Sequence, residues 1–133
     1  MAEILETALY AADLEQAARF YEDVVGLPRV TAEPGRHVFL RAGRAMLLIF
    51  CPTASSQPAA PGRIAVPLHG AAGPGHVCFA AEPLGIDGWA ARLAEAGIAV
   101  EARVQWPHGP RSIYCRDPAG NSVEFAESTL WPV

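Results

Sequence analysis

A chain of 133 residues, 51% hydrophobic and 18% charged, is long enough for one domain with a real core and excludes a disordered chain. Its formal net charge of −4 offers no basic field to nucleic acid or anionic lipid, and no apolar run reaches the roughly 20 residues that span a bilayer. The start, Met1-Ala2-Glu3-Ile4, lacks a basic segment followed by an apolar one and is not read as a signal peptide, so a cytoplasmic location is expected. The three cysteines, Cys51, Cys78 and Cys115, form no CxxC pair and lie in or beside apolar strand-like runs. They read as small buried hydrophobes rather than a disulfide framework.

In chain order, residues 4–10 alternate partly and predict a strand. Asp13, with Gln16 three positions on, resembles a capping box. Leu14, Ala17, Ala18, Tyr21, Val24 and Val25 then recur at helical spacing, Gly26 closes the helix, and Pro28 prevents its continuation. Three strands are predicted next, over 29–33, 38–41 and 45–50, separated by Pro34-Gly35 and Ala42-Gly43. The same order then repeats. Residues 76–80 predict a strand, and Asp87 is expected to cap a helix with Trp89, Leu93 and Ala96 on its apolar face, ended by Gly97. Strands over 98–104, 111–116 and 122–126 follow, the last two joined by a turn at Asp117-Pro118-Ala119-Gly120-Asn121. The expectation is a single α+β domain, 1–133, of two βαβββ half-repeats over 4–51 and 75–128. The connection 52–74, rich in Pro, Gly, Ala and Ser, is long for an ordinary loop. It reads as a linker, a lid or an arm crossing to another subunit.

Matching the halves by element order sets Glu6 opposite His76 and Leu48 opposite Glu124. Singly, each polar residue has an ordinary reading: Glu6 as an edge residue facing water, His76 as a hydrogen-bonded strand end, Glu124 as an exposed carboxylate. Taken together, Glu6, His76 and Glu124 supply one imidazole and two carboxylates. That set suits Fe, Mn, Ni or Zn as a divalent ion, with positions left open for substrate. The remaining histidines are weighed alongside. His69 lies in the connection, either as an accessory ligand or acid–base group or as a plain linker residue. His37 and His108 flank strand starts, where exposed turn residues are common. Arg36, Trp106, Arg111 and Tyr114, with His69, are the candidate substrate-binding side chains, the arginines suiting an anion unless they only pair with surface Glu.

The stretch Asp13-Leu14-Glu15-Gln16-Ala17-Ala18-Arg19-Phe20-Tyr21, followed by Val25-Gly26-Leu27, resembles the first-module motif of the vicinal oxygen chelate superfamily. Gly75-His76-Val77-Cys78-Phe79-Ala80 resembles its second-module first strand, and Arg116-Asp117-Pro118-Ala119-Gly120-Asn121-Ser122-Val123-Glu124-Phe125 its closing hairpin. That superfamily includes glyoxalase I, extradiol dioxygenases, methylmalonyl-CoA epimerase and bleomycin-resistance proteins. The resemblance implies two βαβββ half-repeats forming a cup-shaped mixed sheet, metal ligands at His76 and Glu124, and Glu6 where the family usually has His. Leu48 stands where glyoxalase I has a fourth ligand, a Glu. The implied function is a metal-dependent lyase, isomerase or ring-cleaving dioxygenase acting through a metal-bound enediolate or oxyanion, with Glu6 or Glu124 as base. The alternative is a metal-free, drug-sequestering protein of the bleomycin-resistance kind. A small-molecule substrate and a homodimer are expected either way.

Overall fold

The computed structural model describes residues 1–132. They divide into two compact units, the first spanning Met1–Gly73 and the second running from Pro74 onward. Each unit has the predicted strand, helix, strand, strand, strand order. In the first, β1 (Glu6–Tyr10), α1 (Leu14–Arg19), β2 (Arg29–Glu33), β3 (His37–Ala42) and β4 (Ala45–Phe50) are followed by a single turn, α2 (Pro52–Ser55). In the second, β5 (His76–Ala80), α3 (Gly85–Glu95), β6 (Ala102–Gln105), β7 (Arg111–Arg116) and β8 (Ser122–Ala126) are followed by a short 3₁₀ turn. Each makes a four-stranded mixed sheet, ordered β1-β4-β3-β2 and β5-β8-β7-β6, with the first and last strands parallel.

The first helix forms as its sequence dictates. Asp13 Oδ1 accepts from the Gln16 N–H at 3.0 Å, and Gly26 ends the element at φ +88°. The element is not α-helical throughout, because Phe20–Val25 is a π-helical turn. Widening the turn brings Phe20, Tyr21 and Val25 inward together. They join Leu14, Ala17 and Ala18 above the Leu9, Val38, Leu40, Leu47 and Ile49 face of the sheet.

In the second unit Trp89 stacks on Phe125 at 4.1 Å and Leu93 is fully buried. Two expectations are corrected here. Asp87 is not the helix cap: Leu84 holds that position, and the helix starts at Gly85. The Gly85 N–H and the Trp89 indole N–H both donate to the Ala81 carbonyl, which fixes the earlier start. Asp87 is left as a first-turn acid, favourable against the helix dipole. Strand β6 begins at Ala102 rather than 98, because the Ile98 N–H bonds back to the Leu93 carbonyl as part of the helix terminus.

The turn between β7 and β8 is held by one buried carboxylate. Asp117 accepts from the Ala119 and Asn121 N–H groups and from Asn121 Nδ2, at 2.8–2.9 Å. Asn121 Oδ1 in turn accepts from the Gly75 N–H at 2.8 Å, just before β5. Asp117→Ala is expected to destabilise the protein by about 2–4 kcal/mol in thermal or urea unfolding, because these buried donors lose their acceptor.

Among the described residues no helix is long and apolar enough to cross a membrane.

Candidate functional site

The register of each sheet shows what the matching of the halves means. In the second unit Cys78, Glu124 and Tyr114 stand side by side across β5, β8 and β7, with His76 beside Ser122 one step along. In the first unit Ala8, Leu48 and Phe39 occupy the corresponding row, with Glu6 beside Met46. Glu6 is thus the register equivalent of His76, and Leu48 of Glu124. The alternation of side chains puts each of these rows on the sheet face opposite that unit's helix.

Glu124 is 5% exposed, and a carboxylate so buried needs partners. Its Oε2 accepts from Cys78 Sγ at 3.2 Å and from Ser112 Oγ at 3.3 Å. Ser112 itself accepts from the Trp106 indole N–H at 2.9 Å, so a chain of donors runs from Trp106 to the carboxylate. The Tyr114 hydroxyl is also hydrogen-bonded to Glu124, and burial with that bond pushes it up to about 12. On the other side, Glu124 Oε1 lies 3.7 Å from His76 Nε2, while His76 Nδ1 is within 3.1 Å of the Ser122 carbonyl. In the neutral ring, a proton on Nδ1 toward the Ser122 carbonyl leaves the Nε2 lone pair facing the carboxylate.

Cys78 corrects the expectation of three buried cysteines. Cys115 is buried and Cys51 half-buried, but Cys78 is exposed, and all three are free thiols. Desolvation first, and then its bond to Glu124, push the Cys78 thiol up to about 12. At pH 8 only on the order of one in 10⁴ such thiols is ionised, so Cys78 is expected to react slowly with a disulfide reagent despite its exposure. In a Cys51→Ser background, Glu124→Gln should accelerate that labelling; an unchanged rate would break the link between thiol and carboxylate.

The other candidates divide between the units. Glu6, exposed on the edge strand β1, lines a cavity of about 960 Å³ that belongs wholly to the first unit. Arg36, His37, His69 and Leu48 line it too. The connection, read as linker, lid or arm, here runs along its own module: the Arg63 guanidinium pairs with Glu33 at 2.5 Å, and His69 Nδ1 lies 2.7 Å from the Tyr10 hydroxyl. His37 is not an exposed turn residue. It begins β3, stacks on Phe39 at 4.0 Å, and burial holds its imidazole below the ordinary histidine value. Trp106 and Tyr114 join the Glu124 cluster. Arg111 does not: it pairs with Glu127 at 2.9 Å and with Asp87 of α3 at 3.7 Å, on the helix side of the sheet. His108 lies exposed in the turn before β7. Sequence reasoning missed Ser112 and Cys78, although Cys78 stands two residues from His76 on one strand, the spacing that shares a face.

The sequence model of the Glyoxalase/Bleomycin resistance protein/Dioxygenase superfamily matches residues 3–125. The chain belongs to that superfamily. Within it, the chain is 48% identical to a structure described as lactoylglutathione lyase from Agrobacterium tumefaciens, covering 100% of this chain and 98% of that one, with a TM-score of 0.92. An integron cassette protein from the mobile metagenome of a Halifax Harbour sewage outfall (21% identity, 96% and 99% coverage, TM-score 0.73) shares the fold. So does a virulence protein from Salmonella typhimurium (24%, 96% and 97%, 0.72). No curated protein sequence matches the chain. The superfamily membership and the two-module α+β fold read from the motifs are borne out.

The donor set at His76 and Glu124 fits one half of a divalent-metal site: an oriented imidazole nitrogen and a carboxylate oxygen face each other, each steadied from behind. Among the described residues no group of three or more His, Cys, Asp and Glu side chains is gathered closely enough to hold an ion.

Proposed function

We propose that this chain is a divalent-metal-dependent enzyme acting on a small molecule with adjacent oxygen atoms, by lyase or isomerase chemistry of the glyoxalase kind. The observation that carries the reading is the buried Glu124 carboxylate, fixed through Oε2 by Cys78 and Ser112 and directed through Oε1 at His76 Nε2. The 48% identity to a protein named lactoylglutathione lyase supports lyase chemistry over ring cleavage. In this reading His76 and Glu124 hold the ion, and Glu6, at the register position of His76, is the third ligand. Fe, Mn, Ni and Zn all suit one imidazole and two carboxylates. When bound, such an ion supplies a Lewis acid for charge that develops on the substrate oxygens.

The protein's own groups do the rest. Of the two carboxylates, Glu6 is the one exposed on the cavity wall and accepts the proton that leaves the substrate carbon, whereas Glu124 is buried and held through Oε2 by Cys78 and Ser112. Tyr114, held in its neutral form, donates within the cluster. Leu48 removes from the first module the carboxylate that glyoxalase I uses there, so proton transfer falls to Glu6. A homodimer in the cytoplasm belongs to the same proposal, and light scattering at micromolar concentration reports the assembly.

A second reading, a metal-free small-molecule binder, is favoured by Leu48 and by the largely apolar cavity around it. Elemental analysis of wild type and His76→Ala, each reconstituted with Fe, Mn, Ni or Zn, separates the two. Near-stoichiometric metal in the wild type that is lost in the variant is expected. No retained metal in the wild type would replace the enzyme reading with the binder.

A further inference from the structure

The first-module cavity has a polarity of its own. Its floor is the sheet face carrying Phe39, Leu48 and Phe50, and a neutral His37 stacked on Phe39 extends the flat surface. Its roof is the segment Ile64, Val66 and Leu68, where alternate residues all line the same space although they are 87%, 63% and 53% exposed. Apolar side chains so open to water, pinned in place rather than loose, gain by being covered. The pins are Arg63–Glu33 at one end of the segment and, at the other, His69. Its Nδ1 meets Tyr10, its N–H donates to the Ser55 carbonyl, and its own carbonyl accepts from Ser55 Oγ at 2.6 Å.

The two ends of the floor differ in charge. The row Tyr10–Phe50–His37 lies four residues along the strands from the row Glu6–Met46–Arg41, about 13 Å at a strand's rise. At the His37 end, Arg36 (3.9 Å) and Arg63 (2.5 Å) share the single carboxylate of Glu33, which leaves one positive charge uncompensated. At the other end the lining acid is Glu6, and Arg41 in that row is not part of the lining.

We propose that this cavity binds an elongated small molecule with an apolar, preferably aromatic, body and a single anionic end, the anion between Arg36 and Arg63 and the far end at Glu6. A volume of about 960 Å³ accommodates a ligand of drug-like size. The inference takes its orientation, reacting end toward Glu6, from the proposed function; the binding itself needs no metal.

The test is a fluorescence titration of metal-free protein in excess chelator with 1-anilinonaphthalene-8-sulfonate and with N-phenyl-1-naphthylamine, the same body without the sulfonate. The expected result is one saturable site that prefers the sulfonate by about tenfold, the worth of one charge-assisted contact. Arg36→Gln should erase part of that preference with little effect on the apolar probe, whereas Arg63→Gln should erase most of it and, because Arg63 also pins the roof, weaken both probes somewhat. Leu48→Glu should weaken both probes. Equal affinity for the two probes, or a preference that survives both arginine substitutions, overturns the anionic end. Binding unaffected by Leu48→Glu overturns the cavity itself. His76→Ala leaves all of these titrations unchanged, so failure of the metal reading is visible separately from failure of this one.

Discussion

Glu124→Gln is expected to lower divalent-metal affinity by more than the roughly 10–100-fold that loss of a supporting residue costs, while leaving unfolding cooperative. The amide keeps the side-chain volume. Its oxygen still accepts from Cys78 and Ser112, and its NH₂ replaces Oε1 opposite the lone pair of His76 Nε2. What disappears is the charge. Competition with a chromophoric chelator reads the affinity, and far-UV circular dichroism confirms the fold. Glu124→Ala is the useful contrast. It removes the acceptor as well as the charge, so Ser112, Cys78 and Tyr114 are left facing a hole. A stability loss of about 1–3 kcal/mol then accompanies the loss of metal. Equal metal affinity in wild type and Glu124→Gln would remove Glu124 from the ligand set.

The largest effect on folding is expected at Phe125→Ala. Phe125 is fully buried, stacked on Trp89 at 4.1 Å and on Phe79 at 5.8 Å. Removing the ring leaves a cavity between α3 and the sheet that the flat indole does not fill, at a cost of about 3–5 kcal/mol. Against the usual 5–15 kcal/mol of a whole domain, that consumes much of the stability. Urea unfolding should show a lowered midpoint at an unchanged slope. A shift under about 1 kcal/mol would mean that the helix repacks onto the sheet.

Much of this fold was legible because its strands carry clear punctuation. β2 is bounded by Pro28 and Pro34 and β7 by Pro110 and Asp117, while Gly75 immediately precedes β5. The errors sit where two local signals compete. Asp87 resembles a cap, yet the bonds to the Ala81 carbonyl start α3 two residues before it. The π-helical turn was invisible because Tyr21 and Val25, four apart, suit a 3.6-residue period as well as a wider one. At the site, Glu124 and His76 were legible from their place in the closing hairpin and the repeated first strand. Ser112 and Cys78 were not, because a small polar residue in a strand has no pattern until the register shows what it faces. The course of 63–69 along the cavity was equally hidden: ion pairs such as Arg63–Glu33 join residues thirty positions apart and leave no periodic trace.

The parallel pairing of β1 with β4, and of β5 with β8, has a consequence for birth rather than for catalysis. Glu6 is held by its neighbour only when Met46 arrives, forty positions later, and His76 waits in the same way for Ser122. At a synthesis rate of roughly 5–20 residues per second, each opening strand spends on the order of seconds on the ribosome without its partner. The antiparallel hairpins β2–β3–β4 and β6–β7–β8 pair over much shorter separations and need not wait for the opening strand. A charged Glu at position 6 and a polar His at position 76 make each of these edge strands a poorer template for pairing with another chain while it waits.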